Sequence, residues 1–180
     1  PEGPAPAEGR AIIGWAHPTT GVQPRCAPSL SPLRFQMISG LRAMVRQGYI
    51  VAASDYPGLG AGTDHPFLDG PSEGRAVLDA VRAAAQLPGA TASHRFALWG
   101  HSQGGQAVLF AAAMARDYAS EYNLAAVAAA APATDLAALF RDDLGSKGGN
   151  NLTALTLWAW NRNYGASYDP VIAPPARAAV

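Results

Sequence analysis

Four short apolar runs constrain the fold of this chain more than any other feature of its sequence. The runs cover residues 10–16, 49–54, 95–99 and 124–131. None of them alternates between apolar and polar residues, which is typical of strands that are buried on both faces. Helix-like or loop-like segments separate the runs, so that strand and helix alternate along the chain. This pattern predicts an α/β fold with a central, mostly parallel sheet that helices flank.

The segments between the runs carry helix signals. Apolar residues repeat at helical spacing over residues 37–45, and Gly48 is expected to end that helix in a left-handed conformation. Ser72 is expected to cap a second helix, which closes before Pro88. A third helix is predicted over residues 103–115, directly after the third strand.

The third run leads into Gly100-His-Ser-Gln-Gly104, a Gly-x-Ser-x-Gly pattern between a predicted strand and a predicted helix. In this context the pattern is typical of a nucleophile elbow, a sharp turn that exposes a serine hydroxyl at the carboxyl edge of a sheet. Glycines on either side leave space for the crowded backbone of the turn. We therefore predict that Ser102 is a nucleophile that attacks a carbonyl carbon.

Acyl transfer also needs backbone N–H groups that bind the carbonyl oxygen as it becomes negative. One donor belongs to the residue after the nucleophile, which is Gln103. A second donor comes from an earlier strand-to-helix loop, which here runs over residues 17–21. Pro18 has no N–H, so Thr19 is the predicted second donor of the oxyanion hole.

A serine nucleophile requires a histidine base, yet all four histidines precede Ser102 in the chain. His17 leaves the carboxyl end of the first strand, where open α/β sheets collect their active sites, but we expect it to order its loop. His65 is expected to be solvated in a Gly/Pro-rich loop, His94 to lie on the surface and His101 to have a structural role beside the elbow. The base and the acid of a catalytic triad are therefore expected outside these 180 residues.

Charge and hydropathy exclude two classes of partner. Thirteen basic residues balance thirteen acidic ones, and no run of Lys or Arg stands out that would attract nucleic acid. The longest apolar run, residues 124–131, is far shorter than the roughly 20 residues that a membrane-spanning helix needs. At 180 residues, of which 49% are hydrophobic, the chain is long enough for one domain with a real core.

Beyond residue 142 the sequence reads as loop and cap, with an aromatic-rich stretch. Its aromatic residues are expected to pack within a cap rather than to form a lipid-facing surface; they are Trp158, Trp160, Tyr164 and Tyr168. Asp135, Asp142 and Asp143 are expected to have loop or helix-capping roles rather than to supply a triad acid.

Five ordered blocks of sequence resemble the secretory lipase family of α/β-hydrolases. They are Gly14-Trp-Ala-His-Pro-Thr-Thr-Gly21, Cys26-Ala-Pro-Ser29, Asp55-Tyr-Pro-Gly-Leu-Gly60, Gly100-His-Ser-Gln-Gly104 and Ala131-Pro-Ala-Thr-Asp-Leu136. The resemblance implies an α/β-hydrolase fold in which residues 1–138 form part of the core and residues 139–180 begin a lid or cap insertion. It covers essentially the whole chain but only the middle of the family's catalytic domain, so the sheet is expected to be incomplete.

The same resemblance implies an activity. Members of this family are secreted and hydrolyse carboxylic esters, including triacylglycerols, without a metal or an organic cofactor. By that likeness Ser102 is the nucleophile, Gln103 and the loop at residues 17–20 form the oxyanion hole, and the substrate is an ester or a lipid. The family's catalytic Asp and His lie past the lid. The family also pairs the cysteine of the Cys-Ala-Pro-Ser block with a downstream one, which would explain why Cys26 is the only cysteine here.

Two alternatives to an ester hydrolase stay open at this point. An acyltransferase on the same fold would use an alcohol instead of water as the acceptor. A non-catalytic domain of this fold would bind a ligand or a partner in the same crevice. As an isolated piece, the chain is expected to be inactive and poorly soluble, because its last strand would present an open sheet edge.

Overall fold

Four parallel strands form the centre of the computed structural model, which describes residues 1–167. The strands are β1 (Arg10–Ala16), β2 (Ile50–Ala53), β3 (Ala92–His101) and β4 (Asn123–Ala130). They lie in the order β2-β1-β3-β4, and all three neighbouring pairs are parallel. The prediction of an α/β fold with a parallel sheet is confirmed.

In residues 1–167, two short 3-10 helices, Pro24–Cys26 and Pro28–Leu30, follow β1, and five α-helices connect and flank the strands. The α-helices are α1 (Leu41–Arg46), α2 (Gly70–Ala85), α3 (Gln103–Tyr118), α4 (Leu136–Asp143) and α5 (Lys147–Tyr164). Helices α2 and α3 pack against each other and against the sheet. The side chains buried between these layers include Ile12, Val77, Leu78, Phe96, Leu98 and Val108. This apolar core holds the carboxyl ends of β1 and β3 in register, with Trp15 paired to Trp99 and Ala16 to Gly100.

Two helix boundaries differ from the prediction. Helix α1 begins at Leu41 rather than at residue 37, because Gly40 adopts a left-handed φ of 80° and interrupts the helical turn. The residue expected to end α1, Gly48, does adopt the left-handed conformation, with a φ of 86°. Helix α2 begins at Gly70, and its N-cap is Asp69 instead of Ser72, because the Asp69 carboxylate accepts a hydrogen bond from the Ser72 N–H.

Strand β4 differs most from its sequence prediction. Its apolar sequence predicts burial on both faces, but most of its residues are exposed, and Val127 is 38% exposed. The reason is its position at the edge of the sheet, where no further strand in residues 1–167 pairs with it. The expected open edge at the last strand is confirmed, and such an edge offers unpaired backbone groups to another strand.

The segment after residue 142 is helical where the sequence reads as loop. Ser146 caps α5 by accepting a hydrogen bond from the Gly149 N–H at 2.9 Å, and the helix ends at Gly165 in a left-handed conformation. The expected boundary between core and lid, after residue 138, lies within α4, and the division itself stays a prediction. Tyr168 lies outside the described residues.

Candidate active site

Ser102 occupies the sharp turn between β3 and α3, at the carboxyl end of an inner strand. Its φ of 56° and ψ of −119° lie outside the regions that a residue with a Cβ ordinarily adopts. Hydrogen bonds hold the turn on both sides. The Ser102 N–H donates to the Ala130 carbonyl at 2.9 Å, and the Gln106 N–H donates to the Ser102 carbonyl at 3.1 Å. Ser102 itself is only partly buried, as a nucleophile elbow requires.

The glycines around Ser102 are needed because other backbone segments approach them closely. A Cβ on Gly100 would lie 2.1 Å from the Gly104 carbonyl oxygen, and a Cβ on Gly104 would lie 1.9 Å from the Ala16 carbonyl oxygen. Real Cβ atoms essentially never come within 3.0 Å of such atoms. Gly104 therefore lets the first turn of α3 touch the end of β1, where the predicted oxyanion loop begins.

A small pocket of about 50 Å³ brings the predicted site residues together. Ser102, Gln103 and Thr19 all line it. The Gln103 N–H lies in the first turn of α3, where N–H groups have no partner in their own helix. Within the described residues, neither this N–H nor that of Thr19 donates a hydrogen bond to another protein group. Ser102 thus shares a pocket with two residues whose N–H groups have no protein acceptor in residues 1–167, one of them at a helix N-terminus, and such donors suit an oxygen that gains negative charge.

The Gln103 side chain belongs to a buried polar cluster. Its Nε2 donates to Glu73 Oε1 at 2.7 Å and lies 3.1 Å from His65 Nε2. The His65 Nδ1 lies 2.8 Å from the Pro57 carbonyl oxygen, so Nδ1 carries the ring proton and Nε2 accepts from Gln103. Gln103, Glu73 and His65 are each at most 1% exposed.

Burial decides the charge of this cluster. It raises the pKa of Glu73 from 4.5 to about 8, although the hydrogen bonds from Gln103 and Leu68 act in the opposite direction. Burial also lowers the pKa of His65 from 6.5 to about 4. At neutral pH the carboxyl group is thus protonated and the imidazole is neutral. Glu73 Oε1 and His65 Nε2 lie 3.9 Å apart, and the two side chains therefore do not form an ion pair.

The position of His65 corrects the prediction that it is solvated. The loop after β2 folds back on itself at Gly58, whose φ is 84° and where a Cβ would lie 2.5 Å from the His65 backbone. This close approach places the His65 ring between those of Tyr56 and Phe67, at centroid distances of 6.0 and 6.1 Å. A loop rich in Gly and Pro is here a buried element of the site.

Glu73 is the residue of this cluster that the sequence prediction missed. A signal for it was present, because Glu73 lies four and eight residues before Val77 and Val81 on the apolar face of α2. An acidic residue on a buried helix face requires a buried partner. The sequence offered no means to identify that partner as Gln103.

His17 is also buried, under the predicted oxyanion loop. Its Nδ1 lies 2.7 Å from the Pro18 carbonyl oxygen, and its Nε2 lies 3.2 Å from that of Asp55. Tyr56 stacks on the ring at 4.2 Å and donates its hydroxyl hydrogen to the His17 carbonyl at 3.0 Å. Burial lowers the pKa of His17. Both ring nitrogens face backbone carbonyls, so the geometry fits the expected loop-ordering role.

The other two histidines lie outside this buried cluster. His94 is exposed, as expected, near the amino end of β3, and its Nδ1 lies 3.0 Å from the Glu121 carbonyl oxygen. His101 is exposed at the last position of β3, immediately before Ser102. None of the residues that line the Ser102 pocket is a histidine.

Helices α4 and α5 cover one side of the site. Asp135 caps α4 by accepting a hydrogen bond from the Ala138 N–H at 3.0 Å, which confirms the capping role expected for it. Asp143 closes α4 and lines the pocket of Ser102. The side chains that α4 and α5 contribute to this pocket are otherwise apolar; they are Leu136, Leu139, Phe140 and Leu152.

The tryptophans of α5 pack against the core loop at residues 67–68 as well as within the expected cap, whereas Tyr164 does not pack there, contrary to the prediction. Trp158 and Trp160 join a cluster with Phe67 and Leu68, and Trp160 Nε1 donates to the Phe67 carbonyl at 3.0 Å. Tyr164 is 60% exposed, and its hydroxyl bonds to the Asp69 carboxylate.

Two further properties of residues 1–167 bear on function. No three His, Cys, Asp or Glu side chains in this stretch are arranged to hold a metal ion. None of its helices combines the length and the hydropathy needed to cross a bilayer. Cys26, the only cysteine of the chain, is a free thiol here and is partly buried.

Comparison with known proteins identifies a family that this chain matches. Residues 23–162 match the family described as secretory lipase. A lipase A of Moesziomyces aphidis is 36% identical over 80 residues, which are 44% of this chain and 16% of the relative. A secreted triacylglycerol lipase of Malassezia globosa is 34% identical over 86 residues, which are 47% of this chain and 18% of the relative.

A solved structure extends the likeness to nearly the whole chain. The rice cell wall degrading esterase from Xanthomonas oryzae has a TM-score of 0.74 and 28% sequence identity. The alignment covers 94% of this chain but only 48% of the esterase. This chain therefore spans about half the length of that structure, and its matches cover less than a fifth of each of the two lipases.

Proposed function

Because the chain belongs to the secretory lipase family and has its α/β-hydrolase fold, we propose that it carries the nucleophile of a carboxylic ester hydrolase. The observation that supports this most strongly is the conformation of Ser102. A partly exposed serine is held at a φ of 56° directly after an inner strand, in a pocket that Gln103 and Thr19 also line. Such a strained turn persists only where the surrounding structure enforces it.

In the proposed reaction, the Ser102 Oγ attacks the carbonyl carbon of an ester while a base takes the hydroxyl proton. The carbonyl oxygen becomes an oxyanion, and the N–H groups of Gln103 and Thr19 bind it. The tetrahedral intermediate then collapses, and the leaving alcohol receives the proton from the base. Water attacks the resulting acyl-enzyme by the same route, releases the acid and restores Ser102.

We propose that the base and the acid come from parts of the protein beyond these 180 residues. The two histidines buried near the elbow already direct both ring nitrogens to other groups, and no histidine lines the pocket. By this proposal the isolated chain binds an ester and positions its carbonyl group but does not hydrolyse it.

The substrate is proposed to be an ester with an apolar acyl group. Most of the pocket around Ser102 is lined by aliphatic and aromatic side chains from residues 67–68, α4 and α5. The relatives named above include lipases and an esterase, and one of them is described as a secreted triacylglycerol lipase. We propose the same extracellular setting for this protein.

The assignment of Ser102 is tested with a fluorophosphonate probe on the full-length protein. The probe is expected to label the wild type, and Ser102→Ala is expected to abolish labelling. Ser54→Ala is the matched control, because Ser54 also follows a strand of the same sheet and is also partly buried. Labelling that survives in Ser102→Ala would remove the assignment. Product analysis with an added alcohol separates hydrolysis from acyl transfer.

A further inference from the structure

We propose that Glu73 is a positioning residue, which acts through the Gln103 side chain to hold the oxyanion donor in place. The inference rests on the proposed function, because it takes the Gln103 N–H to be that donor. Glu73 does not line the pocket and touches no substrate in this proposal. Its effect passes through two hydrogen bonds that its carboxyl group accepts.

The first of these bonds orients the elbow. Gln103 uses one amide hydrogen for Glu73 Oε1 at 2.7 Å and the other for His65 Nε2 at 3.1 Å. A glutamine in the first turn of a helix would ordinarily extend into solvent, yet this one is 1% exposed. Two directed bonds on a buried side chain fix its rotamer, and the rotamer constrains the backbone that carries the N–H.

The second bond orients the opposite wall of the pocket. The same Glu73 Oε1 accepts the Leu68 N–H at 3.0 Å. Leu68 has a φ of 59°, which is unfavourable for a leucine, and both Phe67 and Leu68 line the pocket of Ser102. One carboxyl oxygen therefore links the elbow to the loop that faces it.

A structural role alone does not account for an acid at this position. Glu73 lies on the face of α2 that also carries Val77 and Val81, where an apolar side chain would bury without a polar partner. Among the described residues, Glu73 Oε2 and Gln103 Oε1 have no hydrogen-bond partner. Buried polar groups that are only partly satisfied destabilise a core. Their presence beside the nucleophile is explained if they specify the position of the donor.

The test compares variants of the full-length protein in the hydrolysis of a p-nitrophenyl ester. Glu73→Leu keeps the volume and removes both accepted hydrogen bonds. We expect kcat to fall roughly 10- to 100-fold, somewhat less than for outright loss of an oxyanion donor, with KM unchanged within about twofold. Glu73→Gln retains an acceptor oxygen and is expected to keep kcat within about threefold of the wild type.

Val77→Ala is the matched control. Val77 lies one turn further along the same buried face, and its hydrocarbon side chain makes no hydrogen bond to the Gln103 amide. It is expected to lower the unfolding temperature while kcat, measured well below that temperature, stays at the wild-type level. If Glu73→Leu does not fold, Gln103→Met tests the same bonds from the other partner and is expected to lower kcat to a similar extent.

The inference would be overturned if Glu73→Leu or Gln103→Met kept the wild-type kcat. It would also be overturned if Val77→Ala lost as much kcat as Glu73→Leu. Failure of the proposed function has a different signature. If Ser102→Ala retains turnover, both proposals fail. If Ser102→Ala is inactive while Glu73→Leu is as fast as the wild type, only the role of Glu73 is wrong.

Discussion

Glu73 is expected to make the fold less stable as the pH rises above neutrality. A carboxyl group whose pKa is raised in the folded state keeps a proton that the unfolded chain releases, and burial raises the pKa of Glu73 from 4.5 to about 8. Between these values the folded state binds more protons than the unfolded state. The free energy of unfolding therefore decreases with increasing pH in this range.

Two buried histidines act in the opposite sense below neutrality. Burial lowers the pKa of His65 from 6.5 to about 4 and lowers that of His17 as well. Below pH 6.5 the unfolded chain therefore takes up more protons at these positions than the folded chain does. The histidines thus contribute a loss of stability as the pH falls below 6.5, which is opposite in sign to the contribution of Glu73.

Above pH 6.5 the contribution of Glu73 is larger than that of the histidines. A shift of one pKa unit corresponds to about 1.4 kcal/mol, so Glu73 lowers the free energy of unfolding by roughly 1.6 kcal/mol from pH 6.5 to 8, and proton release from the histidines of the unfolded chain offsets up to about half of this decrease. The net decrease of about 1 kcal/mol corresponds to roughly 2 to 4 °C in unfolding temperature for 150–250 residues, and to less in a longer protein. Besides burial, the nearby charge of Asp69 also raises the pKa of Glu73.

The measurement is the unfolding temperature of the full-length protein between pH 5.5 and 8.5. Glu73→Gln cannot titrate and is expected to abolish the decrease above pH 6.5. Glu8→Gln makes the same chemical change at an exposed carboxyl and is expected to leave the decrease intact. If Glu73→Gln shows the same alkaline decrease as the wild type, the carboxyl group is not protonated in the fold and the reasoning is refuted.

Two further predictions concern the packing of the site. Gly104→Ala places a Cβ 1.9 Å from the Ala16 carbonyl oxygen and is expected to abolish both soluble expression and probe labelling, whereas Gly62→Ala, with no atom within 4 Å, should behave as wild type. Trp160→Phe removes the 3.0 Å hydrogen bond to the Phe67 carbonyl but keeps an aromatic ring. Chemical denaturation should therefore show that the free energy of unfolding falls by about 1 kcal/mol. An unchanged free energy of unfolding would mean that water replaces the hydrogen bond.

Local patterns were sufficient to predict the layers of this fold and the turn at its centre. The four apolar runs became the four strands, and the Gly-x-Ser-x-Gly block became the left-handed turn at Ser102. Both features depend on residues that are close in sequence: a strand on its own composition, and the elbow on glycines within two positions of the serine. The resemblance to secretory lipases was confirmed by the match over residues 23–162.

Errors arose at strand β4 and at the ends of helices, where another feature outweighs the apolar pattern. Strand β4 has the composition of an inner strand, but it lies at the edge of the sheet that residues 1–167 form. The predicted α1 start and α2 cap differ from the observed ones by four and three residues, because the conformation of Gly40 and the carboxylate of Asp69 compete with the apolar repeat. Ser146 caps the helix at residues 147–164. This N-cap signal is present in the sequence, but the neighbouring glycines favoured the interpretation as a loop.

The buried cluster shows most clearly what local sequence cannot supply. The spacing of Glu73 to Val77 places an acid on a buried face, and physical chemistry then demands a partner for it. That partner is Gln103, which lies 30 residues away and reaches Glu73 only because α2 and α3 pack side by side. His65 joins them because Gly58 lets its loop fold inward. The sequence thus indicates that Glu73 needs a buried polar partner, but the topology of the fold determines which residues form the cluster. The proposed positioning of the oxyanion donor therefore depends on the topology.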